Sequence, residues 1–288
     1  MKYLKSLLRL LLMFTLGLGV GSCNEKHMNE NHINNNKSAG EFLGHSGYKA
    51  ISYGGYRTLT REDQPSIAQI KEDLKILSAL GVKVIRTYNL QLDQAPNILK
   101  AIRALKSEEA GFEMYVMLGL WIECENARLS PNHGAEDTAV NSAEIERAIT
   151  YANQYPDIVK IIAVGNEAMV HWQANYFVLP SVILKWVNHL QKLKWEDKLP
   201  SELWITSSDN FASWGGGDAA YHNEDLTALI KAVDYISLHT YPFHDTHYSG
   251  SFWVDSQKNT AHLETKARVE LAVQSAVDYA VSQYQSVE

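Results

Sequence analysis

The chain has 288 residues, of which 45% are apolar and 20% charged. That composition excludes a disordered polymer and suits two average domains or one large α/β barrel. The formal charge of −7 offers no global field for a nucleic-acid partner. Two cysteines exclude a disulfide framework and a cysteine-based zinc site.

Lys2, Lys5 and Arg9 place positive charge ahead of an apolar run over residues 7–20. The run is short for a membrane span and has the form of a secretory signal. It ends in Val20-Gly21-Ser22-Cys23, which is similar to a bacterial lipobox. Residues 1–22 are therefore expected to be a lipoprotein signal peptide. Cleavage would leave Cys23 to receive lipid and hold the protein at a membrane of the bacterial cell envelope, on its periplasmic or outer-surface side. Residues 23–44 are rich in Asn and poor in apolar side chains, the composition of a flexible tether. His27 and His32 are read as solvated members of that tether. Residues 45–288 form the expected folded domain.

Within that domain, short β-branched or aromatic runs alternate with amphipathic stretches. The expected strands are 49–53, 82–88, 113–118, 159–164, 203–207 and 235–239. Their starts lie 33, 31, 46, 44 and 32 residues apart. Helical patterns fall at 66–80, 95–107, 142–154, 180–193, 225–232 and 264–284. In the first of these, Ile67, Ile70, Leu74, Leu77 and Leu80 follow the helical period, and Gly81 can end the helix. Strands with little polar alternation, each followed by a helix, point to a parallel sheet covered by helices.

A doubly wound nucleotide-binding sheet would carry a Gly-rich turn after its first strand. Here that strand leads into Ser52-Tyr53-Gly54-Gly55-Tyr56, with neither the GxGxxG spacing nor a phosphate-binding lysine. Polar and aromatic residues instead gather at the carboxyl ends of the strands, where (β/α)8 barrels keep their chemistry. The expected fold is thus a (β/α)8 TIM barrel, incomplete here. About six βα units are legible, and units seven and eight are missing from the pattern.

The fourth strand runs through Ile161-Ile162-Ala163-Val164 into Gly165-Asn166-Glu167. A carboxyl shielded from water at a strand's end has a raised pKa and can protonate a glycosidic oxygen. A neighbouring amide can hydrogen-bond the sugar 2-hydroxyl. The alternative is a helix N-cap with a first-turn acid.

These segments together resemble glycoside hydrolase family 17, the β-1,3-glucanases. Ser52-Tyr53-Gly54 resembles the family's first-strand motif, and Ile85-Arg86-Thr87-Tyr88-Asn89 its second-strand motif. Ala163-Val164-Gly165-Asn166-Glu167 is similar to its fourth-strand signature, and Ser237-Leu238-His239-Thr240-Tyr241-Pro242-Phe243 to its sixth-strand Tyr-Pro. The resemblance covers residues 49–284. It implies a retaining glycosidase acting on laminarin-type β-1,3-glucans without cofactor or metal. Glu167 would be the general acid/base, with a second Glu after strand seven as nucleophile. The family's Gly-Glu-Thr/Ser-Gly-Trp nucleophile motif does not occur here. The nucleophile is therefore expected beyond residue 288, and this chain alone is expected to be inactive. A β-1,3-glucan transglycosylase and a noncatalytic glucan-binding lipoprotein are the alternatives.

Tyr53, Tyr88, Tyr241, Trp121, Asn166 and His239 are the candidate substrate contacts, with a hydrogen-bonded rim role as the first reading of His239. Trp172 and Trp214 are further candidates for stacking on sugar rings. Arg86 either binds substrate or pairs below the cleft. Glu123 and Glu125 read as solvated loop charges, Asp209-Asn210 as a turn, and Cys124 as a packed free thiol. His239, His244 and His247 beside Asp245 match no compact metal motif.

Overall fold

The computed structural model describes residues 37–217, 219–241 and 261–285. The signal segment, Cys23, most of the tether, His244, Asp245 and His247 lie outside the described residues.

Six parallel strands form one sheet: β1 (Lys49–Ser52), β2 (Val82–Arg86), β3 (Tyr115–Leu120), β6 (Val159–Asn166), β7 (Trp204–Asn210) and β8 (Ser237–His239). They pair in the order β1-β2-β3-β6-β7-β8, each strand beside its predecessor in the barrel series. Among the described residues this is the curled half-barrel expected of an incomplete (β/α)8 architecture, with β1 and β8 at its edges. All pairings are parallel, so every carboxyl end lies on one rim. A two-stranded antiparallel hairpin, β4 (Cys124–Glu125) and β5 (Asn132–Glu136), sits between β3 and the next helix. Sequence periodicity gave no sign of it, because five residues of mostly polar sequence carry no strand pattern.

The connecting helices are α1 (Ile67–Ala79), α2 (Gln94–Glu108), α3 (Thr138–Gln154), α4 (Pro180–Trp195) and α5 (Glu224–Ala232), followed by α6 (Ala261–Gln285). Their ends follow local chemistry. Ser66 and Gln69 form a reciprocal capping box at α1, and Gly81, at φ +81°, follows its last turn. Asp137 and Asn223 cap α3 and α5 through their side chains. Pro180 opens α4, where its missing N–H is of no consequence.

Strand alternation divides the interior in two. Ile85, Val116, Leu118, Ile162 and Val164 face the helices and join the main core. Val84, Tyr115, Met117, Ile161 and Ala163 face the concave side and form a second core with Ala39 and Phe42. Phe42 is buried and its ring stacks on Tyr115 at 4.8 Å. The tether boundary expected at residue 44 is therefore corrected. Residues 39–42 begin with a short 3-10 turn (Ala39–Glu41) and fill the inside of the sheet. One aromatic side chain in a polar stretch is too weak a local signal for this, since its value depends on a distant apolar partner.

Near the amino ends of the strands, Glu113 accepts hydrogen bonds from Lys37, Tyr48, Tyr115 and Lys83 at 2.7–3.0 Å. Burial alone would raise its carboxyl, but these four donors hold it at about 2. Among the described residues, no helix is long and apolar enough to cross a membrane.

Candidate active site

The carboxyl end of β6 departs from regular strand geometry. Gly165 has φ +89° and Glu167 φ +48°, and the register with β7 shifts between Ala163 and Asn166. In an unbroken strand, adjacent side chains would point to opposite faces. Here the irregularity lets Asn166 and Glu167 reach groups at the ends of β2 and β8, each one strand removed from β6. A Cβ at Gly165 would lie 3.0 Å from Ala168 Cβ and 3.1 Å from Ile183 Cδ1, so the turn also needs a residue without one. The Glu167 N–H donates to the Ser208 carbonyl at 2.9 Å and ties the turn to β7.

His239, at the end of β8, places Nδ1 2.9 Å from Glu167 Oε1. An ionised carboxylate can only accept, so with Glu167 ionised the imidazole is the donor in this contact. The Tyr241 hydroxyl lies 3.4 Å from the same nitrogen. The His239 hydrogen bond holds the Glu167 carboxyl below its ordinary value; burial opposes this, and Tyr241 and Arg86 reinforce it. The sequence-based expectation of a raised Glu167 pKa is corrected: the donors around it outweigh its desolvation. The Tyr241 hydroxyl moves the other way, pushed up to about 12 by burial and the Glu167 charge.

Arg86, at the end of β2, donates through Nη2 to Asn166 Oδ1 and lies over the Tyr88 ring at 5.1 Å. Its Nε is buried without a hydrogen-bond partner. Burial is the largest influence on this guanidinium and weakens its hold on its proton. Arg86, Tyr88, Asn166, Glu167, His239 and Tyr241 thus form one linked group on the carboxyl rim.

A second group borders it. Trp121, half-buried, meets the Tyr176 ring at 4.8 Å and 51°. Its indole N–H donates to Glu123 at 2.7 Å, and Arg128 reaches the same carboxylate at 2.8 Å. Burial, with the Glu167 charge adding to it, pushes the Tyr176 hydroxyl up to about 12. Glu144, on α3, is fully buried and accepts the backbone N–H groups of Leu90 at 2.6 Å and Trp121 at 3.0 Å. One carboxylate thereby links the segments that follow β2 and β3.

Sequence reasoning missed Tyr176 and Glu144. Glu144 carried a usable signal, since it shares a helix face with Asn141, Ile145 and Ala148. Tyr176, in an irregular segment, carried none.

The structure departs from the sequence reading at Tyr53, Trp214, Glu123 and Asp209-Asn210. Tyr53 is 8% exposed and its hydroxyl donates to Asp73 of α1 at 2.6 Å, so it belongs to the layer between sheet and helices. Trp214 is fully buried, with its indole N–H near the Ser237 carbonyl, and offers no stacking face. Trp172 stays largely exposed. Glu123 is buried and doubly bonded, whereas Glu125 is exposed. Asp209 and Asn210 are buried strand residues of β7, with no turn at that point. Cys124 is a buried free thiol. Among the described residues no group of His, Cys, Asp or Glu is arranged to hold a metal ion.

Comparisons with known proteins bear on the family and the fold. A family model for the BtgE/BtgC glycoside hydrolase domain matches residues 50–272. The crystal structure of an endo-laminarinase from Formosa Hel1_33_131 is 57% identical, with a TM-score of 0.74; the match covers 87% of this chain and 64% of that one. This chain therefore spans less than two thirds of that enzyme's length. CJP38, a β-1,3-glucanase and allergen of Cryptomeria japonica pollen, shares the fold at 14% identity and a TM-score of 0.52, over 81% of this chain and 71% of that one. No curated protein matches.

Proposed function

The chain belongs to the BtgE/BtgC glycoside hydrolase domain family, and from that premise we propose that it serves the hydrolysis of laminarin-type β-1,3-glucan. The observation that carries this reading is the Glu167 carboxyl on the rim, bonded to His239 and adjacent to Asn166. The 57% identity to an endo-laminarinase supports the choice of glucan.

The proposed reaction is retaining. Glu167 gives its proton to the glycosidic oxygen as that bond breaks, while a second carboxylate about 5–5.5 Å away attacks the anomeric carbon. Glu167 then takes a proton from water, which hydrolyses the resulting ester. Only Glu167 is assigned here. The second carboxylate contributes more than a nucleophile, because its charge raises the Glu167 pKa against the His239 hydrogen bond. Asn166, held through Oδ1 by Arg86, would donate its amide N–H to a sugar hydroxyl. Trp121 and Tyr176 offer aromatic faces to neighbouring rings.

We also propose that Cys23 carries lipid and tethers the domain to the cell envelope. The support is the Val20-Gly21-Ser22-Cys23 sequence behind a basic, apolar leader.

The test is laminarin turnover by the full-length protein and its Glu167→Gln variant, with laminari-oligosaccharide binding measured in parallel. Hydrolysis predicts loss of turnover with binding kept. Wild-type binding without turnover identifies a noncatalytic glucan binder, and elongated oligosaccharide products identify a transglycosylase. Radiolabelled palmitate incorporated by the wild type and not by Cys23→Ala supports the anchor; equal labelling refutes it.

A further inference from the structure

Strand β7 ends in five consecutive polar residues, Thr206-Ser207-Ser208-Asp209-Asn210, all of them buried. Buried polar side chains persist where specific partners satisfy them. For Asp209 the partners are known. Its Oδ2 accepts the backbone N–H of Met169 at 2.8 Å, and its Oδ1 accepts that of Asn210 at 2.8 Å. Met169 lies two residues past Glu167, and the N–H of Glu167 itself donates to Ser208, immediately before Asp209. The turn at residues 167–169 is therefore fastened to β7 at both ends, first through a backbone carbonyl and then through one carboxyl group.

This fastening acts where it is needed. Glu167 sits at φ +48°, a left-handed region that is strained for a residue with a Cβ and persists only when its surroundings enforce it. The Asp209 side chain is fully buried and accepts two main-chain N–H groups, with the Ser213 hydroxyl also acting on it, so it is not placed to touch a substrate. We propose that Asp209 is a positioning residue, which holds the Glu167-Ala168-Met169 turn so that the Glu167 carboxyl meets His239 and the cleft. Burial pushes the Asp209 carboxyl up to about 7, with the Glu167 charge adding to the effect. Tyr176 responds to both carboxyl groups, in keeping with one shared electrostatic environment.

The inference rests on Glu167 being the proton donor, and the experiment separates the two ideas. Asp209→Asn keeps the side-chain volume but turns an amino group toward one of the two N–H donors. In the full-length protein, laminarin hydrolysis is compared with that of a 2,4-dinitrophenyl laminaribioside, whose leaving group needs no proton. A misplaced acid predicts a fall of about 100-fold in kcat on laminarin with KM little changed, and a near-normal first-turnover burst of dinitrophenol, because only the later hydrolysis of the ester still calls on Glu167 as base. Equal losses on both substrates, or none, would overturn the proposal. A second readout needs no turnover. The Glu167 carboxyl is titrated by carbon-13 NMR in wild type and in Asp209→Asn, with circular dichroism to verify folding. The expected result is a Glu167 pKa that returns toward the ordinary glutamate value as its contact with His239 loosens. An unchanged titration would refute the positioning role even if the wild type hydrolysed no glucan, an outcome that would itself count only against Glu167 as donor.

Discussion

The imidazole Nδ1 of His239 stands 2.9 Å from Oε1 of Glu167, across 72 positions of sequence. The two residues terminate non-adjacent strands, β6 and β8, with β7 between them. This hydrogen bond is the largest influence on the Glu167 carboxyl and keeps it more acidic than a solvated glutamate. The free site therefore favours an ionised Glu167 at neutral pH, and acid catalysis depends on what restores its proton.

Replacing His239 with Ala should reverse that bias. Without the Nδ1 donor, burial dominates and the Glu167 pKa rises. A general acid must be protonated, so the alkaline limb of the kcat/KM profile should move to higher pH. Profiles of the two proteins on laminarin check this; an unmoved or lowered limb would contradict it.

Glu144→Ala should destabilise the protein by about 2–4 kcal/mol, because the buried N–H groups of Leu90 and Trp121 lose their acceptor together. Arg147, paired with the same carboxylate, would also lose its partner. Urea unfolding measures the change. Trp121 fluorescence should shift as its anchor is lost, and a change below about 1 kcal/mol would show that water replaces the carboxylate.

Gly165→Ala meets both a left-handed backbone and two close side-chain atoms. A stability loss of about 1–3 kcal/mol is expected, with Glu167 displaced along with the turn. The thermal midpoint reports the first effect, and Glu167 carboxyl NMR the second. A variant with unchanged values on both would remove the argument that this turn needs glycine.

Two carboxyl groups should give opposite slopes to stability against pH. Glu113 is held at about 2 against an ordinary 4.5, so the folded state binds fewer protons than the unfolded chain between those values. Its contribution is present above pH 4.5 and is lost as pH falls toward 2. Asp209 is raised from 3.8 to about 7, so the folded state binds more protons there. Its contribution is full below 3.8 and declines as pH rises to about 7. Denaturant midpoints across pH 2–8 should lose the acid slope in Glu113→Gln and the upper slope in Asp209→Asn.

The sequence by itself determined the alternation of strands and helices and the chemistry at the end of β6. These features are local: apolar periodicity places α1 and α4, and Gly165-Asn166-Glu167 stands where an unbroken apolar run stops. Tertiary structure alone decided which residues share the cleft. In a strand or the segment after it, one step of backbone turns a side chain from one face to the other. Tyr53 therefore lies against α1 while Arg86 points to Asn166, a difference that residue type does not encode. The burial of Asp209 and of Phe42 was equally unreadable, because each is stabilised by partners distant in sequence: Met169 for the first, Tyr115 for the second. Long-range contacts of this kind arise only when the sheet curls and brings its strand ends together.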